Sequence, residues 1–146
     1  MSRAAAVMIA GGGLLLLASA VRGSTRMGEN KVDALMRGIA KAEGFYVTGS
    51  LAQRANNPGN LKLGDRGFGA IDGKTKFATL ADGWRALANQ IELIASGKSA
   101  FYRPDMTFAQ IARIYTGGDK PDAWAAIVTQ EIGATPDTVF VQWWLS

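Results

Sequence analysis

Neither cysteine nor histidine occurs among the 146 residues. The first absence removes a disulfide framework and a thiol nucleophile. The second removes Ser-His-Asp and Cys-His catalysis and the usual His-containing zinc sites. A strong charge of one sign is also missing. The net charge is +4, and setting Arg3 and Arg22 aside leaves 14 basic against 12 acidic side chains. Such a mild balance gives no reason to expect nucleic acid as a partner. There are no internal repeats, and beyond the N-terminal segment there is no low-complexity tract. Carboxylate chemistry survives these eliminations, and the length suits one domain with one core.

The N-terminus holds the one long apolar run. Ala4 through Val21 carry no charge and are flanked by Arg3 and Arg22. Eighteen helical residues span about 27 Å, just short of a hydrocarbon core of about 30 Å. Gly11, Gly12 and Gly13 weaken both hydrophobicity and helix propensity. Ala18-Ser19-Ala20 fits a small-x-small cleavage site. Residues 1–22 therefore read as a cleaved signal peptide, a signal anchor, or a weak anchor that later leaves the bilayer. Each reading exports the chain to the periplasm or tethers it to the cytoplasmic membrane through residues 4–21. Residues 23–29 read as a linker, and residues 30–146 as the folded domain.

Within that domain, Val32, Leu35, Met36 and Ile39 recur at helical spacing. Glu43 continues the same stripe, and Gly44 ends the helix. A carboxyl group thus sits beside the core at the negative end of a helix dipole. Both effects disfavour ionisation and raise its pKa. A carboxylic acid protonated near neutral pH is what glycosidic bond cleavage needs as a general acid. The competing reading is a solvated last-turn glutamate. Further on, Asn56, Asn57 and Asn60 bracket a Pro-Gly turn. Amides there can present donors and acceptors to a sugar, or simply form a sharp surface loop.

Four segments together carry a resemblance: Ala42-Glu43-Gly44-Phe45-Tyr46; Asn56-Asn57-Pro58-Gly59-Asn60; Phe77 with Gly83-Trp84; and Ile114-Tyr115-Thr116-Gly117-Gly118. In that order they resemble a phage-type peptidoglycan-degrading domain of the lysozyme-like superfamily, on its lytic transglycosylase branch. The likeness spans roughly residues 31 to 133. It implies Glu43 as the catalytic acid, and Asn56, Asn57, Asn60, Tyr115 and Tyr46 as substrate-binding residues. Thr116 and Gly117 depart from the Tyr-Asn-Ala-Gly stretch of many transglycosylases. The substrate implied is the peptidoglycan glycan strand, cut at the MurNAc-GlcNAc linkage, for phage lysis or wall entry. No cofactor and no metal are expected, and the chain should be a monomer unless it is part of a virion. Amidase and endopeptidase routes fall away because they generally use His or Cys. A hydrolase would need a second carboxylate, for which Asp65 and Asp72 are the nearby candidates; a transglycosylase needs Glu43 alone. The alternative from another class is a non-catalytic virion or membrane-tethered wall-binding protein on the same scaffold.

The remaining pattern predicts an α+β, mostly α domain with two lobes and a small β-hairpin. Asp72-Gly73 marks the hairpin turn, with Lys74 to Phe77 returning. Arg54, Lys62, Arg66, Lys74 and Lys76 make a local basic surplus here, suited to an anionic wall or to a solvated rim. Leu80, Trp84, Leu87, Ala88, Ile91, Ile94 and Ala95 mark one helical face, stopped by Gly97. Thr107 to Gln110 form a capping box ahead of Ile111, Ala112 and Tyr115. Asp119 and Pro121 open another helix, with Trp124, Ile127 and Val128 inward and Gly133 at its end. Thr135-Pro136 opens a last helix carrying Phe140, Trp143 and Trp144. Trp84, Trp124 and Phe108 are expected in the core. Phe45, Tyr46 and Tyr102 are expected to stack on sugars or to cap the core. Trp143-Trp144 also suits a membrane interface.

Overall fold

A computed structural model describes residues 31–64 and 69–146. The expectations for residues 4–21 and the linker and for Asp65 and Arg66 lie outside the described residues. The fold is mostly helical with one two-stranded antiparallel sheet, the α+β class expected. Among the described residues no helix is long and apolar enough to cross a membrane.

Helix α1 covers residues 31–42 and buries Leu35, Ile39 and Ala40. A single turn of helix, α2 (Leu51–Arg54), is capped by Ser50 and leads into the Asn-rich corner. Strands β1 (Gly69–Ile71) and β2 (Lys74–Lys76) pair with Ile71 opposite Lys74. Asp72 at φ 47° and Gly73 at φ 74° make the primed turn that the Asp-Gly dipeptide predicts. Helix α3 (Leu80–Ala95) begins at Thr79, whose hydroxyl accepts from the Asp82 N–H, and it ends at Gly97 in the left-handed region. It buries Gly83, Leu87, Ile91 and Ile94. Leu80, expected inward, is exposed at the first position of α3, whose buried face begins at Gly83. Helix α4 (Phe108–Tyr115) carries the predicted capping box between Thr107 and Gln110. Helix α5 (Pro121–Ile132) has Pro121 in its first turn and Gly133 after its last. Its N-cap is Lys120 rather than Asp119, whose N–H closes a turn onto Thr116.

Helix α6 (Phe140–Leu145) starts later than Thr135-Pro136 predicts. The first N–H groups of a helix need acceptors from outside it. At α4 these are the carbonyls of Thr138 and Pro136, which accept from Phe108 and Ala109 at 3.1 and 2.8 Å. The segment 135–139 is therefore held as a turn and cannot coil at the same time. Leu35, Ile39, Leu87, Ile91, Phe108, Ile111, Trp124, Val128 and Phe140 form one apolar cluster. Trp143 and Trp144 pack against it beside Phe140 rather than standing clear of the domain.

Candidate active site

Glu43 sits at the C-cap of α1. Its N–H continues the helix to Ile39. Gly44 then turns left-handed at φ 72°, and the Gly44 and Phe45 N–H groups return to Lys41 and Ala40. These two bonds are the paired closure of a Schellman motif. They fix the direction in which the Glu43 side chain leaves the helix. It enters a cleft of about 580 Å³, floored by Trp124 and Tyr115 and bounded on the β side by Leu61, Lys62 and Lys74.

Both carboxyl oxygens have a donor. The Trp124 indole N–H reaches Oε1 at 2.9 Å, and the Asn60 amide reaches Oε2 at 3.0 Å. Burial is the largest influence on Glu43 and raises its pKa above the ordinary 4.5. The Asn60 and Trp124 bonds and the charge of Lys74 pull the other way without overcoming it. Tyr102 also lines the cleft. Burial, reinforced by the Glu43 charge, pushes its phenol up to about 12. Tyr102, Tyr115 and Trp124 form a continuous aromatic row behind the acid, with centroid separations of 6.3 and 4.8 Å. Phe101, 72 % exposed, lines the same cleft.

The sequence-predicted residues divide sharply. Glu43 and Asn60 come together. Tyr115 lines the cleft, but its hydroxyl is spent on the Gly59 carbonyl and its phenol is raised well above 10 by burial. Asn57 is fully buried: its amide donates to the Leu61 and Thr75 carbonyls at 3.0 and 2.8 Å and accepts from the Leu61 N–H at 2.8 Å. It cannot bind substrate, because every polar atom it owns is already used inside the fold. Asn56, held at φ 50°, donates to the Phe77 carbonyl at 3.1 Å and lies outside the cleft. Tyr46 is exposed beside Phe45, also outside the cleft. Asp72 pairs with Arg54 at 3.7 Å on the open surface and does not face Glu43's cleft.

Trp124 and Asp119 had no sequence signal for a place in this cleft, and the signal for Tyr102 was divided between sugar stacking and core capping. Trp124 reads only as core, since its partner lies 81 positions away. Tyr102 sits in a loop without periodicity. Asp119 reads as a helix start, yet it is exposed on the cleft wall. Among the described residues no group of three acidic side chains is placed to hold a metal ion. Comparison with protein-family models, with curated proteins and with solved structures returns no match.

Proposed function

We propose that this chain cleaves the glycan strand of peptidoglycan at the MurNAc-GlcNAc linkage, as a lytic transglycosylase of lysozyme-like type. The observation that carries the reading is Glu43 itself: one half-buried carboxyl group, its ionisation opposed by burial, opening onto a cleft large enough for sugar rings. The neutral acid gives its proton to the glycosidic oxygen as the C1–O bond breaks. The carboxylate left behind is received by donors already in place on both oxygens, and by Lys74. The C6 hydroxyl of the same sugar then attacks C1 and returns a proton to Glu43. An anhydro ring forms and no water is consumed.

A single acid is enough for that route. A hydrolase would use a second carboxylate. Asp72 stands outside the cleft and Asp119 is its one exposed alternative among the described residues. Phe101 offers an open aromatic face on which a sugar ring can stack. Residues 4–21 would deliver the domain to the membrane or beyond it, where such a substrate lies.

The test is the action of the Glu43→Gln and Asp119→Asn variants on purified cell walls, with mass analysis of the products. Glu43→Gln should lose roughly 10²–10⁴ of the rate. Asp119→Asn should keep it, and the products should end in anhydro sugars. Activity of Glu43→Gln within a few-fold of wild type removes Glu43 from the chemistry. Reducing-end products that vanish in Asp119→Asn would make the chain a hydrolase.

A further inference from the structure

The basic surplus on the β side of the domain does not spread evenly around its rim. Arg54 is neutralised by Asp72, and neither it nor Lys76 lines the cleft. Lys62 and Lys74 do. They are set side by side by the backbone: the Thr75 N–H donates to the Leu61 carbonyl at 3.0 Å, and the Leu63 N–H donates to the Thr75 hydroxyl at 2.8 Å. Lys74 is half-buried; the charge of Lys62 repels its own, and an ionised Glu43 attracts it. Neither ammonium has an acidic partner within ion-pair distance among the described residues. Two like charges stapled together on a cleft wall raise the energy of the free protein. An anion between them lowers it, more strongly than on an open surface because the walls exclude water.

We propose that Lys62 and Lys74 form a carboxylate subsite beside Glu43, which makes the enzyme select glycans whose sugars bear carboxylates over neutral glycans. The inference rests on the glycan-cleavage reading and sharpens its substrate class. Two sources of carboxylate fit: the lactyl ether acid on a strand stripped of peptide, and the acids of the attached stem peptide.

The experiment measures binding rather than turnover, with the full chain carrying Glu43→Gln and intrinsic tryptophan fluorescence as the signal. Three soluble oligosaccharides of equal length serve as probes: a neutral chitin fragment, a peptide-free lactyl-bearing strand, and the same strand with its peptides. The carboxylated strands should bind roughly 10–100-fold tighter than the chitin fragment, the range for hydrogen bonds to charged groups. That advantage should shrink as salt rises from about 50 to about 500 mM. Adding Lys62→Met and Lys74→Met should abolish it without lowering the melting temperature, since the repulsion between the two ammonium groups goes with them. An advantage already complete on the peptide-free strand assigns the lactyl acid; one confined to the third strand assigns the peptide. Equal affinity for all three strands, or an advantage that survives the two methionines, overturns the subsite and leaves glycan cleavage standing. Failure of all three to bind overturns both.

Discussion

An acid that passes between two protonation states needs partners suited to each, and Asn60 can serve both. Its Nδ2 donates to Glu43, while its Oδ1 is buried with no hydrogen-bond partner among the described residues. Half a turn of the amide would set Oδ1 against Oε2, ready to accept from a protonated carboxyl. The neutral form is therefore well accommodated, and a pH dependence follows. Burial raises the folded pKa of Glu43 above 4.5, whereas the unfolded chain keeps the ordinary value. Stability from the neutral acid is fully present below that value and is lost as pH rises through the folded pKa. Glu43→Gln cannot ionise, so its melting temperature should match wild type in acid, climb above it as pH passes from the unfolded to the folded pKa, and keep a constant excess beyond; calorimetry across pH checks this. Trp124→Phe keeps a ring against Tyr115 but loses the donor to Oε1. The rate should fall roughly 10–100-fold, by the worth of a hydrogen bond to a charged group. With one carboxylate-stabilising bond gone, the alkaline limb of the pH–rate profile should move upward. Glu43 was legible in the sequence because an apolar stripe and a terminating glycine are local signals. The indole that completes it was not, because tryptophan on a helical stripe reads as core whichever way its N–H points.

At the scale of elements, the small hairpin depends on its ties to the corner before it. Two three-residue strands do not hold together unaided. Asn57 closes the corner at 57–61 with two buried hydrogen bonds to Leu61 and ties it to β2 with a third, to Thr75, while the Phe77 N–H ties the end of β2 to Ala55. Helix α3 closes on this corner at Gly83, where a Cβ would fall 1.9 Å from the Asn56 carbonyl oxygen. Asn57→Ala should thus lower stability by about 2–4 kcal/mol while specific activity at low temperature is kept. Gly83→Ala should cost more than about 3 kcal/mol, because backbone must move to admit the methyl. Urea unfolding and wall assays on the same samples separate stability from activity. Elements whose causes are short-range were readable: the Asp-Gly turn, the Thr107 capping box, the glycine after α5. The start of α6 was misplaced because its local cap signal lost to α4, which takes the same carbonyls. Asn57 looked like a sugar ligand for a similar reason, since its partners at Leu61 and Thr75 are set by tertiary pairing.

For the whole molecule, the expectation that remains is where residues 4–21 take the domain. If residues 4–21 form a weak anchor, replacing Gly11, Gly12 and Gly13 with Leu should hold the chain in the bilayer, since leucine inserts more favourably than glycine. Cell fractionation should show the membrane pool grow and wall damage delayed, while the wall-cleaving activity of the detergent-extracted chain stays the same. Full-length protein found wholly in the cytosolic fraction would end every export reading. The distance along the chain between Glu43 and its indole partner has a consequence of its own. A ribosome adds roughly 5–20 residues each second, so the 81 positions separating the two take roughly 4–16 s to make. Through that interval the emerging glutamate has no Trp124 beside it and no α5 to shield it. It is an ordinary solvated carboxylate. Whatever chemistry Glu43 performs with its indole partner waits until Trp124 and α5 have been made, and a nascent chain that stops short of them lacks the completed site.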